Sequence, residues 1–313
     1  MLLGKGLSVV WNLSFFLILF LSCAKKALPP SPDRFGPRLL EIICPNRTQV
    51  ILTFDEGIKE GKFLIFSAKE TIGIRSIKIK EKKVNIYTQP VKKEDYLLIG
   101  EVADLFDNLK YLKVRFSGSA ERETIKPEIR DISWVKDGIM VSFSEPMETT
   151  NFQFLTAPGK REDFSISWSE EKDKVMAKWS GIFNLPYLSF LILPSLTDLE
   201  GNHLRAGRVY QRFFDTLIVT KRQEGKVVEK EKGVGGAIIF LSDSFSFFAL
   251  TDKDGNFRLD LPSGVYKLVG IYDEDGDGLV DFSLTTDLEV PAEPVFLRLL
   301  PVEKKMPISD YLR

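Results

Sequence analysis

The sequence predicts an all-β chain, several sandwiches in a row behind an N-terminal export segment. Three observations carry that expectation. From Gln49 onward, short runs alternate apolar residues with Lys, Glu and Arg at period two, the pattern of half-buried antiparallel strands. Gly, Pro, Asn and Asp punctuate those runs at turn spacing. Two stretches repeat one plan about ninety residues apart, and internal repeats of that kind are read first. Composition agrees. Of 313 residues, 44% are hydrophobic, enough for real cores, and the net charge is −1. Lysines alternate with glutamates throughout, so no sustained basic patch for nucleic acid exists.

The first element sets the location. Gly6–Ala24 carries no charge. Lys5 and the amino terminus supply a positive start, Leu7–Leu21 an apolar core, and Ser22 a small residue before Cys23. An uncleaved membrane helix needs about 20 apolar residues, and the run is nearly that long. Lys25 and Lys26 just beyond it oppose that reading, because the positive-inside rule would hold them in the cytoplasm. Phe20-Leu21-Ser22-Cys23 resembles the lipobox of bacterial lipoproteins. The resemblance implies residues 1–22 as a signal peptide and Cys23 as the lipidation site, palmitate being among the acyl groups. With more than one acyl chain such an anchor is stable. Cleavage leaves 313 − 22 = 291 residues, a length for two or three all-β domains. Cys44 then has no intrachain cysteine to pair with, which excludes a disulfide framework.

Residues 23–37 form a tether; four prolines between Ala27 and Pro37 favour an extended chain. Residues 38–119 read as the first sandwich, with Gln49–Phe54 a β-branched strand and Leu112, Val114 and Phe116 on one face of another. Ala120–Lys126 is a polar bridge. Residues 127–215 repeat the plan with Gly138–Phe143, Phe164–Trp168, Val175–Trp179 and Tyr187–Leu193 as strands. The copies align through Phe54 with Phe143, an offset of 143 − 54 = 89, and Asp104 with Asp198, an offset of 198 − 104 = 94. One loop of different length accounts for the shift.

Phe143-Ser144-Glu145-Pro146-Met147 followed by Thr197-Asp198-Leu199-Glu200-Gly201-Asn202 resembles the bacterial Ig-like domain of the S-layer type. The first copy diverges, with Asp55-Glu56-Gly57 after its strand and Asp107 at the turn glycine. Thr216–Gly233 (residues 216–233) is charged and reads as a linker or exposed edge. Residues 234–301 change character. Gly236-Ala237 leads a core strand, Thr251-Asp252-Lys253-Asp254-Gly255-Asn256-Phe257 makes a hairpin turn, and Leu261-Pro262-Ser263-Gly264-Val265-Tyr266 opens another strand. That order resembles the carboxypeptidase regulatory-like, transthyretin-like sandwich. Residues 302–313 are a tail.

Asp273, Asp275, Asp277 and Asp281 stand at positions 1, 3, 5 and 9 of a calcium-loop spacing, with Gly278 at position 6. Position 12 is Leu284 instead of a bidentate Glu. Calcium is the one cofactor this spacing suggests; the other reading is a solvated Asp/Gly hairpin. His203 is the only histidine, sits in a turn, and has no Gly-x-Ser-x-Gly elbow to serve. Neither histidine nor cysteine pairs exist for zinc. Asp104 and Asp198 read as turn caps. Trp168 and Trp179 end alternating strands and read as core, whereas Trp134 follows polar residues and reads as the exposed ring. No ligand-binding residue is legible.

The expected function is non-enzymatic: a lipid-anchored cell-envelope protein whose Ig-like modules serve as docking and spacer surface. Its partners would be the membrane, through the anchor, and an envelope protein or glycan, with no nucleic acid. Ala24 after the cysteine leans toward an outer membrane where two membranes exist. The rivals are an accessory or weak carboxylate hydrolase and a pure spacer.

Overall fold

The computed structural model describes residues 34–181, 185–243 and 246–312. The signal segment, Cys23 and the start of the tether lie outside them. The described residues form three two-sheet β-sandwiches, so the all-β expectation holds.

In the first sandwich, strands β1 (Leu39–Asn46), β2 (Gln49–Phe54), β5 (Ile74–Lys80) and β6 (Lys83–Thr88) pair in the order β1-β2-β6-β5. Strands β3 (Ile58–Phe66), β4 (Thr71–Ile72), β7 (Asp95–Asp104) and β8 (Leu109–Ser117) form the facing sheet, β4-β3-β7-β8. Alternation does the work: Val50, Leu52 and Phe54 point inward from β2 and meet Val84 and Ile86 of β6, Ile65 of β3 and Leu98 of β7. Each such side chain, fully buried, contributes about 1.5–3 kcal/mol.

The second sandwich pairs β9 (Ile129–Val135), β10 (Gly138–Phe143), β12 (Phe164–Trp168) and β13 (Lys174–Trp179) in the order β12-β13-β10-β9. Opposite lie β11 (Phe154–Ala157), β14 (Tyr187–Ile192) and β15 (Arg208–Phe213), with β14 central. All six residues of β14 are buried. Leu188, Phe190 and Ile192 fill the second core, while Tyr187 and Leu191 belong to clusters of the next sandwich. A strand covered on both faces must be apolar throughout.

The third sandwich corrects the linker reading of residues 216–233. Thr220–Glu229 is β16, a ten-residue strand hydrogen-bonded to β20 (Asn256–Pro262) and, in parallel, to β23 (Val295–Arg298), with β17 (Lys232–Gly233) turning back on it. Its Gln223, Gly225 and Val227 point inward between outward Lys, Arg and Glu residues. Gly225 is required here, since a Cβ would lie 2.5 Å from the Phe257 ring. The facing sheet runs β19-β18-β21-β22-β24: β18 (Ile238–Ser242), β19 (Ser246–Leu250), β21 (Gly264–Tyr272), β22 (Phe282–Val290) and β24 (Leu300–Pro301). The tail ends in a short helix, α1 (Ile308–Tyr311). Ile308, Tyr311 and Leu312 pack on the cluster of Leu191, Ile238, Phe248 and Ile271.

Candidate functional site: an acidic junction and an aspartate loop

The same turn recurs in each sandwich, closing a hairpin in the first two and, in the third, linking β19 (Ser246–Leu250) to β20 (Asn256–Pro262) of the facing sheet rather than making the hairpin expected there. Asp104 Oδ1 accepts from the amides of Phe106 (2.7 Å) and Asn108 (2.8 Å), and Oδ2 from Asn108 Nδ2 (2.8 Å). Asp198 accepts from the Glu200 and Asn202 amides at 2.8 and 2.9 Å and from Asn202 Nδ2 at 2.8 Å. Asp252 accepts from the Asp254 and Asn256 amides at 2.9 and 2.8 Å. The residue before each Asn has positive φ: Asp107 at 65°, Gly201 at 87° and Gly255 at 84°. Glycine takes that conformation without cost, and Asp tolerates it. Asp104 and Asp198 are therefore occupied as caps.

In the second sandwich the turn also builds a junction. Glu200, with a side chain only 4% exposed, receives Arg47 of the β1–β2 turn at 2.9 Å. Arg122 of the bridge stands 3.9 Å away. Burial pushes the Glu200 carboxyl up, but the hydrogen bonds from Arg47 and Thr48 and the nearby guanidinium charges win, so it stays below the ordinary carboxylate value. Two further pairs cross the junction, Arg75–Glu148 at 2.6 Å and Lys78–Asp173 at 2.7 Å. Ser76 Oγ donates to the Glu171 carbonyl at 2.8 Å.

Beside these pairs lies a cluster that sequence reasoning missed. Glu123 of the bridge, Glu145 and Asp198 each bring a carboxylate oxygen within 4.8 Å of the others. Asn202 Nδ2 donates to both Glu123 Oε2 (2.7 Å) and Asp198 Oδ2 (2.8 Å), tying bridge to turn. Burial, with Asp198 and Glu123 adding repulsion, pushes the Glu145 carboxyl up to about 7; Ser144 and Lys78 only partly offset this. Burial also raises Glu123. Glu145 was legible as part of a strand-end motif, but its meeting with Glu123 depends on how two sandwiches pack.

The aspartate loop links β21 and β22. Asp273, Asp275 and Asp281 converge, with oxygens within 4.8 Å of one another; Asp277 is outside that group. Asp273 accepts from the Gly276 and Gly278 amides at 2.7 and 2.8 Å, Asp277 from the Leu279 amide at 2.8 Å, and Asp281 from the Glu274 amide at 2.8 Å. Lys305 from the tail forms a close ion pair with Asp281 and lies 3.5 Å from Asp275. Its ammonium holds the Asp281 carboxyl below the usual range, while burial lifts Asp273. The donor set thus serves a turn and a tethered cation. A calcium ion, which takes six to eight oxygens, would have to displace Lys305 and supplement three carboxylates.

The remaining candidates resolve simply. His203 is exposed, with Nδ1 3.3 Å from the Ser195 carbonyl oxygen. Trp134 is half-buried, packed on the second core and edge-on to Phe214 at 4.9 Å, which corrects its reading as an exposed ring. Trp168 stacks on Phe143 at 5.8 Å and Trp179 meets Phe164 edge-on at 5.0 Å, both as expected. A groove of about 1070 Å³ runs between the second and third sandwiches past Thr156, Leu193, Phe240, Phe248 and Leu312. Cys23 lies outside the described residues.

No protein-family model and no curated protein matches the chain. Solved structures of low similarity do. The major pilin subunit BcpA of Bacillus cereus is 10% identical with a TM-score of 0.22, covering 77% of this chain and 94% of its own. The TIE protein of Bacillus anthracis is 12% identical with a TM-score of 0.21, covering 95% of this chain and 62% of its own. The SGBP-B protein of the Bacteroides ovatus mixed-linkage glucan utilization locus is 12% identical with a TM-score of 0.17, covering 85% and 71%. Scores of this size assign no family, and the chain's β-sandwich architecture stands on its own strands and cores.

Proposed function

We propose that the chain is a non-enzymatic, lipid-anchored protein of the cell envelope whose sandwiches act as spacer and docking surface. The observation that carries this reading is that both junctions between sandwiches are built, one from ion pairs and one from buried apolar side chains. Such an array presents loops and sheet edges from three linked sandwiches, which is what a docking surface needs. The lipobox at Cys23 and the carboxypeptidase regulatory-like markers of the third sandwich support the same reading. The envelope is the proposed location, with an outer membrane favoured where there are two, and a protein or glycan of the envelope as partner.

Metabolic labelling with an alkyne palmitate tests the anchor. Label should appear in the envelope fraction and vanish in Cys23→Ser; equal labelling of both, or none in either, would sink it. Crosslinking in intact cells then asks whether one protein is recovered in near-equal amount, wall glycan alone, or nothing, the last favouring a pure spacer.

The carboxylate-hydrolase reading has one observation in its favour. Glu145, lifted to about 7, sits beside Asp198 as a general acid beside its partner would. Against it, none of Glu123, Glu145 and Asp198 lines the described cavities. Hydrolysis of wall glycan that Glu145→Gln abolishes would establish it over the docking reading.

A further inference from the structure

We propose that the chain-entry end of the first sandwich is a membrane-contact surface, its Phe35, Leu105, Phe106 and Leu109 resting in the interface of an anionic phospholipid bilayer. The proposal rests on the lipid-anchor reading above.

The apolar side chains gather where the chain arrives. Phe35 is 83% exposed, Leu105 67%, Phe106 70% and Leu109 54%. Leu105 and Phe106 form the tip of the β7–β8 turn, and Leu109 begins β8. The entering segment lies against them: a Cβ on Gly36 would stand 2.6 Å from the Leu109 carbonyl oxygen. The β2–β3 loop is at the same end, where Gly57 sits beside Leu105. Nothing in the hairpin needs these large side chains outside, because the turn is already held by Asp104 and Asn108. The same turns in the other sandwiches carry Leu199-Glu200 and Lys253-Asp254 at the matching tip positions. Only the first copy has an apolar pair there.

Place and charge identify the occupant. This end is opposite the junction with the second sandwich, since Arg47 in the β1–β2 turn meets Glu200 whereas Phe54 ends β2 on the entry side. From Cys23 to Phe35 is 35 − 23 = 12 residues, a reach of at most about 40 Å. An acylated Cys23 therefore keeps this end of the first sandwich within that distance of the lipid. Exposed Arg34, Lys82, Lys83 and Lys110 lie at this end, together with Glu60 and Glu81. Asp107 and Asp55 are already paired, with Lys59 and Arg38. Exposed apolar side chains with lysines beside them suit a bilayer interface, where the aliphatic stems lie along the apolar layer and the ammonium groups stay among the headgroups.

The test uses the processed, acylated chain on phosphatidylethanolamine–phosphatidylglycerol vesicles (3:1 by design, ~3 zwitterionic lipids per anionic one) with bromine-substituted acyl chains. Phe106→Trp reports the tip and Val219→Trp, 72% exposed at the far side of the second sandwich, reports bulk solvent. The proposal expects the Phe106→Trp emission, above the wild-type background, to fall by more than half while Val219→Trp is unchanged. Equal emission from the two positions on bound protein would overturn it and leave the anchor intact. An intact mass showing no acyl group on Cys23 would overturn the proposal together with the reading beneath it.

Discussion

Between the first and second sandwiches the contacts are carried by charge: Arg47–Glu200, Arg75–Glu148 and Lys78–Asp173, with Glu123, Glu145 and Asp198 gathered beside them. Between the second and third they are carried by apolar area, with Leu191, Leu193, Ile238, Phe248 and Ile271 in one cluster. There, even the polar groups close an edge. The amides of Ser246 and Phe248 on edge strand β19 donate to Tyr187 Oη (2.6 Å) and Ser189 Oγ (3.0 Å) of β14. An exposed sheet edge is a hazard, and this one is consumed internally. Apolar burial carries no titrating group and is not screened by salt, whereas ion pairs respond to both pH and salt. The expectation is that the second and third sandwiches move as one unit and the first hinges on them.

The largest effect expected is from Leu191→Asp, which puts a charge into the apolar junction. It should cost about 4 kcal/mol, from lost burial plus an unpaired charge. Calorimetry should show the transition of the joined sandwiches falling while that of the first is unmoved. A uniform drop of all transitions would break the comparison.

Arg47→Ala comes next, because a nearly buried carboxylate loses its main partner. Its effect belongs to the hinge. Proteolysis within residues 120–126 should accelerate, with the melting of the joined pair unchanged.

The pH dependence follows from Glu145. Its carboxyl is raised from an ordinary value near 4.5 to about 7. A group whose pKa is higher in the closed junction favours closure fully below 4.5 and loses that contribution as the pH rises through 7. Glu200 is shifted the other way, so its pairing with Arg47 holds above its ordinary value and fails in stronger acid. The junction should be tightest near pH 5 and loosest above pH 8. For a part-exposed group the difference is on the order of 1 kcal/mol after solvent screening. Glu145→Gln should flatten the profile between pH 5 and 8.

The smallest effect concerns the aspartate loop. Millimolar calcium should raise the melting temperature of the third sandwich slightly in the wild type and more in Lys305→Ala, which lacks the competing ammonium. No shift in either protein would leave the loop a hairpin and nothing else.

How far the sequence reaches is clearest at particular residues. Val50, Leu52 and Phe54, or Ile139, Val141 and Phe143, announce their strands because alternation is a local property. All three Asp-to-Asn turns were legible as turns, and the structure adds that the one at Asp252 and Asn256 is capped like the others yet joins two sheets. Strand β16 was hidden because its outward Lys, Arg and Glu outnumber its three inward residues, two of them Gln and Gly. Trp134 was misread because its partner Phe214 lies 80 residues on. Lys305 at the aspartate loop and Glu123 beside Asp198 were illegible for the same reason. A side chain that acts through a distant one leaves no periodicity.

The hinge is tested most directly by electron–electron distance measurements on spin labels at exposed sites, in a Cys44→Ser background. Lys62→Cys with Lys178→Cys spans the polar junction, and Lys178→Cys with Lys267→Cys spans the apolar one. The account predicts a narrow, unchanging second distribution, and a first one that broadens between pH 5 and 8.5 or on adding molar salt. A second distribution that broadens as much as the first, or a first that never moves, would contradict it.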